Sequence, residues 1–223
     1  MELDFSVVLA RWPELAQGMR VTMLAFLIAL AIGVPLGGLV CAGTLRGRGM
    51  PAALARGYVT VFRTIPEIVL IFWMYYCLPP LLGVPPTPWM GILMGSLALA
   101  LVSGAYLAEI FRAGIQSVSR GQWEAAGALA LPRRTLWTRV VIPQATRIGV
   151  PPFINFLTEL LKGTTLLATV GVADLALKAY VLGGQTFRYL EFLSAIALIY
   201  FVVIFPVARL AEHVERRLAL ATR

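Results

Sequence analysis

An all-α fold of five membrane-spanning helices is predicted by three features of this sequence: its apolar balance, its long uncharged runs and the placement of its arginines. Of 223 residues, 59% are hydrophobic and only 13% charged, a balance the core of a water-soluble domain of this size would not need. A bilayer core of about 30 Å needs roughly 20 apolar residues in helix, because unpaired backbone polar groups are too costly in lipid. The net charge of +8 comes from arginines set between apolar blocks. They form no continuous basic face with interleaved aromatics, so the charge reads as membrane topology and argues against nucleic acid. Cys41 and Cys77 lie in apolar runs, and His213, the single histidine, has no ligand set at metal spacing. Neither a disulfide framework, a metal site nor a cofactor is expected.

Residues 1–20 carry Glu2, Asp4 and Glu14 and only Arg11 before Arg20, so they lack the positive leader of a cleavable signal, and nothing is expected to be removed. Phe5, Val8, Leu9, Trp12 and Leu15 fall roughly on one helical face, which suits a short extracytoplasmic helix in the interface, the alternative being a disordered tail. The first span, 21–45, is uncharged, and Gly33, Gly37 and Pro35 would permit close contact and a bend. The uncharged run 68–108 is too long for one helix, and Pro79, Pro80, Pro85, Pro86 and Pro88 break it into a hairpin. The second span then covers 58–78, with Arg63 and Glu67 near its start, and the third 89–111. The fourth, 148–170, contains Glu159 and Lys162, and the fifth, 192–208, ends at Arg209. Gly183 and Gly184, with Tyr180 nearby, read as an outer turn.

Basic residues gather on the cytoplasmic side of short loops. Arg46, Arg48 and Arg56 follow the first span; Arg112, Arg120, Arg133, Arg134, Arg139 and Arg147 follow the third; Arg209, Arg216, Arg217 and Arg223 follow the fifth. The alternate segments hold Arg11, Arg20, Lys178 and Arg188. Thirteen against four places the N-terminus outside and the C-terminus inside. No repeat or low-complexity linker divides residues 1–223, which read as one membrane domain.

Residues 119–143 form a polar island on the cytoplasmic side. Ser119 and Gln122 have capping-box spacing, so a short helix is expected to start there, run through Glu124, Ala125, Ala126 and Gly127, and stop before Pro132. Pro132 then opens a second helix ending near Pro143. The small side chains would let the first helix sit in another protein's groove; the other reading is an amphipathic surface loop.

Charges inside a bilayer cost roughly 2.5 to 3.5 kcal/mol and usually face a bundle interior or a wet cavity. Arg63 with Glu67, and Glu159 with Lys162, are spaced to share a helix face. Each couple either holds the bundle together or lines a pathway for a zwitterion, whose carboxylate suits Lys162 or a hydroxyl of Thr164 or Thr165 and whose ammonium suits a carboxylate.

The island resembles the coupling loop of ABC importer permeases, whose pattern is Glu-Ala-Ala, three residues, Gly, nine residues, Ile, one residue, Leu-Pro. This chain has Glu124-Ala125-Ala126, Ala130, Val140 and Ile142-Pro143, with alanine where the family has glycine. Gly18 with Val21-Thr22, Tyr58 with Phe62-Arg63 and Pro66, Ala105-Tyr106 with Glu109 and Arg112, Pro143-Gln144-Ala145, and Asn155 followed by Lys162-Gly163-Thr164-Thr165-Leu166 are similar to the polar amino acid branch. Thr64-Ile65 depart from its usual Gly-Thr, and Gly163 and Thr165 from an acidic residue and a serine. The resemblance implies the type I importer architecture, with Gln122, Glu124, Ala125, Ala126, Gly127, Ala130, Pro132 and Pro143 facing an ATPase and Asn155 near the pathway. It also implies a cytoplasmic ATP-binding subunit dimer, a second permease copy or paralogue, an extracytoplasmic solute-binding protein and an amino acid substrate. The chain has no Gly-x-x-x-x-Gly-Lys-Ser/Thr loop of its own. A permease for an opine, short peptide or methionine, a non-transport scaffold and a small membrane enzyme are the competing readings. The last is disfavoured because no His, Cys or carboxylate set clusters at one depth of the spans.

Overall fold

A computed structural model describes residues 3–220, the side chains of 214 and 217–220 excepted, so Glu2 and Arg223 lie outside the described residues. Among those residues every regular element is helical. Three helices are long and apolar enough to cross a membrane unbroken: α2 (Trp12–Thr44), α5 (Met90–Gln116) and α9 (Tyr189–Leu220), the last over Tyr189–His213. Two bent pairs complete the expected five: α3 (Met50–Thr64) with α4 (Glu67–Leu81), at 102°, and α7 (Arg133–Val170) with α8 (Leu175–Thr186), at 51°. Two short helices remain, α1 (Ser6–Ala10) and α6 (Arg120–Ala128).

The centre of the bundle is the α2/α5 pair, brought close by small residues. A Cβ added to Gly33 would stand 2.7 Å from the Ser103 Cβ, and one on Gly37 the same distance from the Leu107 Cβ. Ala25, Ala29, Ala98 and Ala100 are fully or almost fully buried in the same core, so small side chains let the two helices pack closely. A second cluster joins Val8 and Leu15 to Leu175, Ala179, Leu182 and Phe192. There the Asp174 carboxylate caps α8 by accepting from the Leu177 amide at 2.8 Å, and the Thr22 hydroxyl oxygen accepts from the Leu175 amide at 3.1 Å.

Four expectations change. The second span is not one helix over 58–78: Ile65 leaves the helical region at φ −72°, ψ 129°, the conformation a following proline favours, and the chain turns there. The hairpin does not turn at Pro79 and Pro80, which lie inside α4; a wide π turn at Trp73–Cys77 absorbs their missing donors, and the connection is 82–89. Pro143 does not end the second island helix, because a π turn at Leu136–Val141 precedes it and α7 runs on through Pro151 and Pro152 to Gly163 before narrowing to a 3₁₀ stretch, Thr164–Val170. Gly183 and Gly184 are helical in α8, where a Cβ on either would meet Tyr189; the turn falls at Phe187, with φ 57°. At the N-terminus α1 forms as a short helix, and Trp12 and Leu15 open α2. Phe5, Leu9 and Trp12 stay exposed, while Val8 and Leu15 are buried.

Candidate functional site

The first helix of the island forms between Ser119 and Pro132, as its sequence predicts. Ser119 takes the extended N-cap conformation, but the side-chain capping box does not form: only its carbonyl accepts from the Gln122 amide, at 3.0 Å. At the other end the Leu131 amide donates to the Ala126 carbonyl and the Ala130 amide to the Gly127 carbonyl, both at 3.0 Å, the paired bonds of a Schellman stop. Such a stop puts one residue in the left-handed region, here Ala130 at φ 48°. The glycine of the family pattern is replaced by alanine while the turn is kept, and Pro132 caps the start of α7.

The small-residue surface is divided. Ala126 is buried within the chain, whereas Gln122, Glu124, Ala125 and Gly127 are exposed, and a Cβ on Gly127 would meet nothing within 4 Å. Trp123 packs edge-on against Trp137 at 5.9 Å, which ties α6 to the start of α7. Leu129, 72% exposed, extends the outward apolar surface.

The intramembrane charges regroup. Arg63 and Glu67 do not pair, because the break at Pro66 lies between them; Arg63 instead reaches Glu109 of α5 at 3.8 Å and lies over the Tyr106 ring at 5.2 Å. Glu109 also takes a two-pronged bond from Arg112, at 3.0 and 2.5 Å. Glu67, half-buried, turns toward α7, where its Oε2 would be 3.3 Å from a Cβ on Gly163. It lines a cleft of about 340 Å³ with Ser103, Tyr106, Asn155, Phe156 and Glu159. Glu159 and Lys162 do pair, at 2.9 Å, and both remain largely exposed.

Lys162 and Thr165 border a different cavity against α9, so the couple spans two clefts. Thr165 donates its hydroxyl to the Lys162 carbonyl at 2.7 Å. Thr164 is fully buried and donates to the Leu161 carbonyl, which removes it from any open pathway. Tyr106 borders both the Glu67 cleft and a larger one carrying Arg56, Arg63, Glu109 and Arg112. Sequence reasoning did not select Tyr106 or Glu109 as pathway residues, although Glu109 and Arg112 stand three apart at the end of an uncharged run, the signal used for Glu159 and Lys162.

The family described as the inner membrane component of binding-protein-dependent transport systems matches residues 33–220. The chain belongs to this family. It is 32% identical over 218 residues to the arginine transport system permease protein of Bacillus subtilis, covering 98% of each chain. Against the glutamate/aspartate import permease protein of Escherichia coli it is 30% identical over 222 residues, covering 98% of this chain and 99% of the other. Its structure is similar to the crystal structure of an amino acid ABC transporter with histidines, with a TM-score of 0.87 at 32% identity over 97% of this chain and 100% of that one. The methionine transporter MetNI, at a TM-score of 0.64 and 20% identity, shares the fold. The protein is therefore a membrane-spanning ABC importer permease of the type I fold.

Proposed function

We propose that this permease forms half of the translocation pathway of an amino acid importer, with the Glu67 cleft as the place where substrate passes. The observation that carries this reading is that α4, α5 and α7 bring two carboxylates, Glu67 and Glu159, to one cleft of about 340 Å³ together with the Asn155 amide and the Tyr106 ring. No partner charge neutralises Glu67 among the described residues, so an arriving ammonium has a carboxylate to meet. Lys162, bonded to Glu159, can exchange that bond for a substrate carboxylate.

The remaining parts follow from the family pattern. A cytoplasmic ATP-binding subunit dimer docks on the exposed side of residues 119–143, a second permease copy or paralogue completes the pore, and an extracytoplasmic solute-binding protein delivers the amino acid. The N-terminus and residues 1–20 lie outside and the C-terminus inside, in a bacterial inner membrane, with ATP hydrolysis confined to the partner chains. Uptake by the assembled transporter in proteoliposomes tests this reading. Amino acid accumulation that depends on ATP and drops at least tenfold for Glu67→Gln supports it; uptake unaffected by that change moves the pathway elsewhere.

A further inference from the structure

The larger cleft has the opposite character to the one beside Glu67. It encloses about 680 Å³ at the island end of the bundle, between the end of α2, one face of α3 and the last turns of α5. Arg56, Arg63 and Arg112 line it with Thr60 and Gln116, and Glu109 is the one carboxylate among its lining residues. Three guanidinium groups less one carboxylate leave an excess of two positive charges in the cleft. Among the described residues Arg63 and Arg112 share Glu109, whereas Arg56 donates to a neutral acceptor, the Gly47 carbonyl, at 3.0 Å. Arg56 is thus held in position with no carboxylate partner among the described residues.

Helix α3 shows why this excess stands where it does. At 100° per residue it divides into three faces. Ala52, Ala55 and Val59 are buried against the bundle; Arg56, Thr60 and Arg63 look into the cleft; Met50, Leu54 and Val61, 73%, 67% and 48% exposed, form an apolar stripe beyond it. The basic face lies between the buried face and the apolar stripe. Exposed Ala53 and Gly57 lie between the arginines and the stripe, so a ligand seated on the arginines reaches the hydrocarbon surface across these small residues.

We propose that this cleft binds the phosphodiester head group of an anionic phospholipid, with the acyl chains running down the Met50, Leu54 and Val61 stripe. Planar guanidinium forks match phosphate oxygens, and basic pockets between helices at the cytoplasmic side of a membrane suit such head groups. A soluble phosphate would use the arginines but leave the stripe bare. The inference rests on the proposed transport reading only for placing this end of the bundle in the cytoplasmic leaflet.

Native mass spectrometry of the full chain in detergent, with phosphatidylglycerol and phosphatidylcholine supplied in equal amounts, tests it. Phosphatidylglycerol should be retained preferentially, and Arg56→Gln should lower that retention roughly fivefold, the effect of one arginine near an anionic surface. Arg56 is chosen because its loss leaves the Glu109 pairing intact. Arg120→Gln, which removes an exposed charge outside the cleft, should change nothing. Equal retention of the two lipids, or the same loss from either variant, would overturn the proposal. So would millimolar inorganic phosphate displacing the lipid completely, which assigns the cleft to a soluble anion. Because the readout is binding, lipid preference without uptake sinks the transport reading alone, and uptake without lipid preference sinks this one alone.

Discussion

Arg63 faces Glu109 across the gap between α3 and α5, 3.8 Å away, although Glu67 stands only four residues along its own chain. The break at Pro66 makes this choice, because a 102° turn sends the two side chains to different neighbours. Glu67 is released toward Gly163 and Glu159, and Arg63 is drawn onto Tyr106 and Glu109. One proline thus separates a basic cleft from an acidic one.

A double-mutant cycle checks this pairing. Arg63→Met with Glu109→Gln should show a coupling of up to about 1 kcal/mol in the unfolding of the detergent-solubilised protein, since both side chains are partly exposed. Arg63→Met with Glu67→Gln should show a coupling indistinguishable from zero. The reverse order would mean that the helix continues through Pro66.

Ala130 is the position where the chain departs from the family glycine and holds the glycine's conformation, φ 48°. The left-handed region costs an L residue roughly 1–2 kcal/mol, partly offset by the greater unfolded-state freedom of glycine. Ala130→Gly should therefore stabilise the island by about 1 kcal/mol and slow amide exchange at Ala130 and Leu131, whereas Ala130→Val should speed it. Faster exchange in the glycine variant would contradict the Schellman geometry.

The amount legible in sequence follows the range of the interactions involved. Five crossings, a short helix between Ser119 and Pro132 and a close helix contact at Gly33 and Gly37 were readable because length, local stop signals and small residues act within one segment, whereas the partner at that contact, α5, was not. The Glu159–Lys162 pair was readable for the same reason, since both sit on one uninterrupted helix. Pairs that cross elements were not: spacing of four suggested Arg63 with Glu67, and only the direction of the chain after Pro66 shows that Glu109 is nearer. Pro143 misled because a π turn rescues helical continuity upstream of it, and such turns leave no sequence mark.

Orientation gives a further expectation. In a background lacking Cys41 and Cys77, Pro86→Cys in the 82–89 connection should react with an impermeant thiol reagent added outside sealed cells, while Ala128→Cys should react only after permeabilisation. Outside labelling of Ala128→Cys would invert the topology drawn from the arginine distribution.

Within the island, two neighbours should behave differently when enlarged. A tryptophan at Ala126 must enter a packed interior and should reduce the yield of folded protein, because overpacking typically costs 1–3 kcal/mol, roughly, and an indole adds far more than a methylene. A tryptophan at Gly127 points into open space, so the chain should insert normally and fail instead to hold the ATP-binding subunit in co-purification. Normal co-purification and uptake by Gly127→Trp would remove this face from the docking surface.

The Glu159–Lys162 couple separates support from recognition. Removing Lys162 alone leaves Glu159 beside Glu67 without its 2.9 Å partner, so Lys162→Met should lower stability whichever role the pair has. Both groups are more than half exposed, which limits the loss to about 1 kcal/mol or less. Glu159→Gln with Lys162→Met deletes both charges and should restore that stability, since no lone charge remains. If the cleft carries substrate, uptake by this double variant stays at least tenfold down, or shifts in its preference among amino acids, while the protein unfolds at the wild-type temperature. Wild-type uptake and selectivity in a stably folded double variant would show that the pair only braces α7, and recognition would then fall to Glu67, Asn155 and Tyr106.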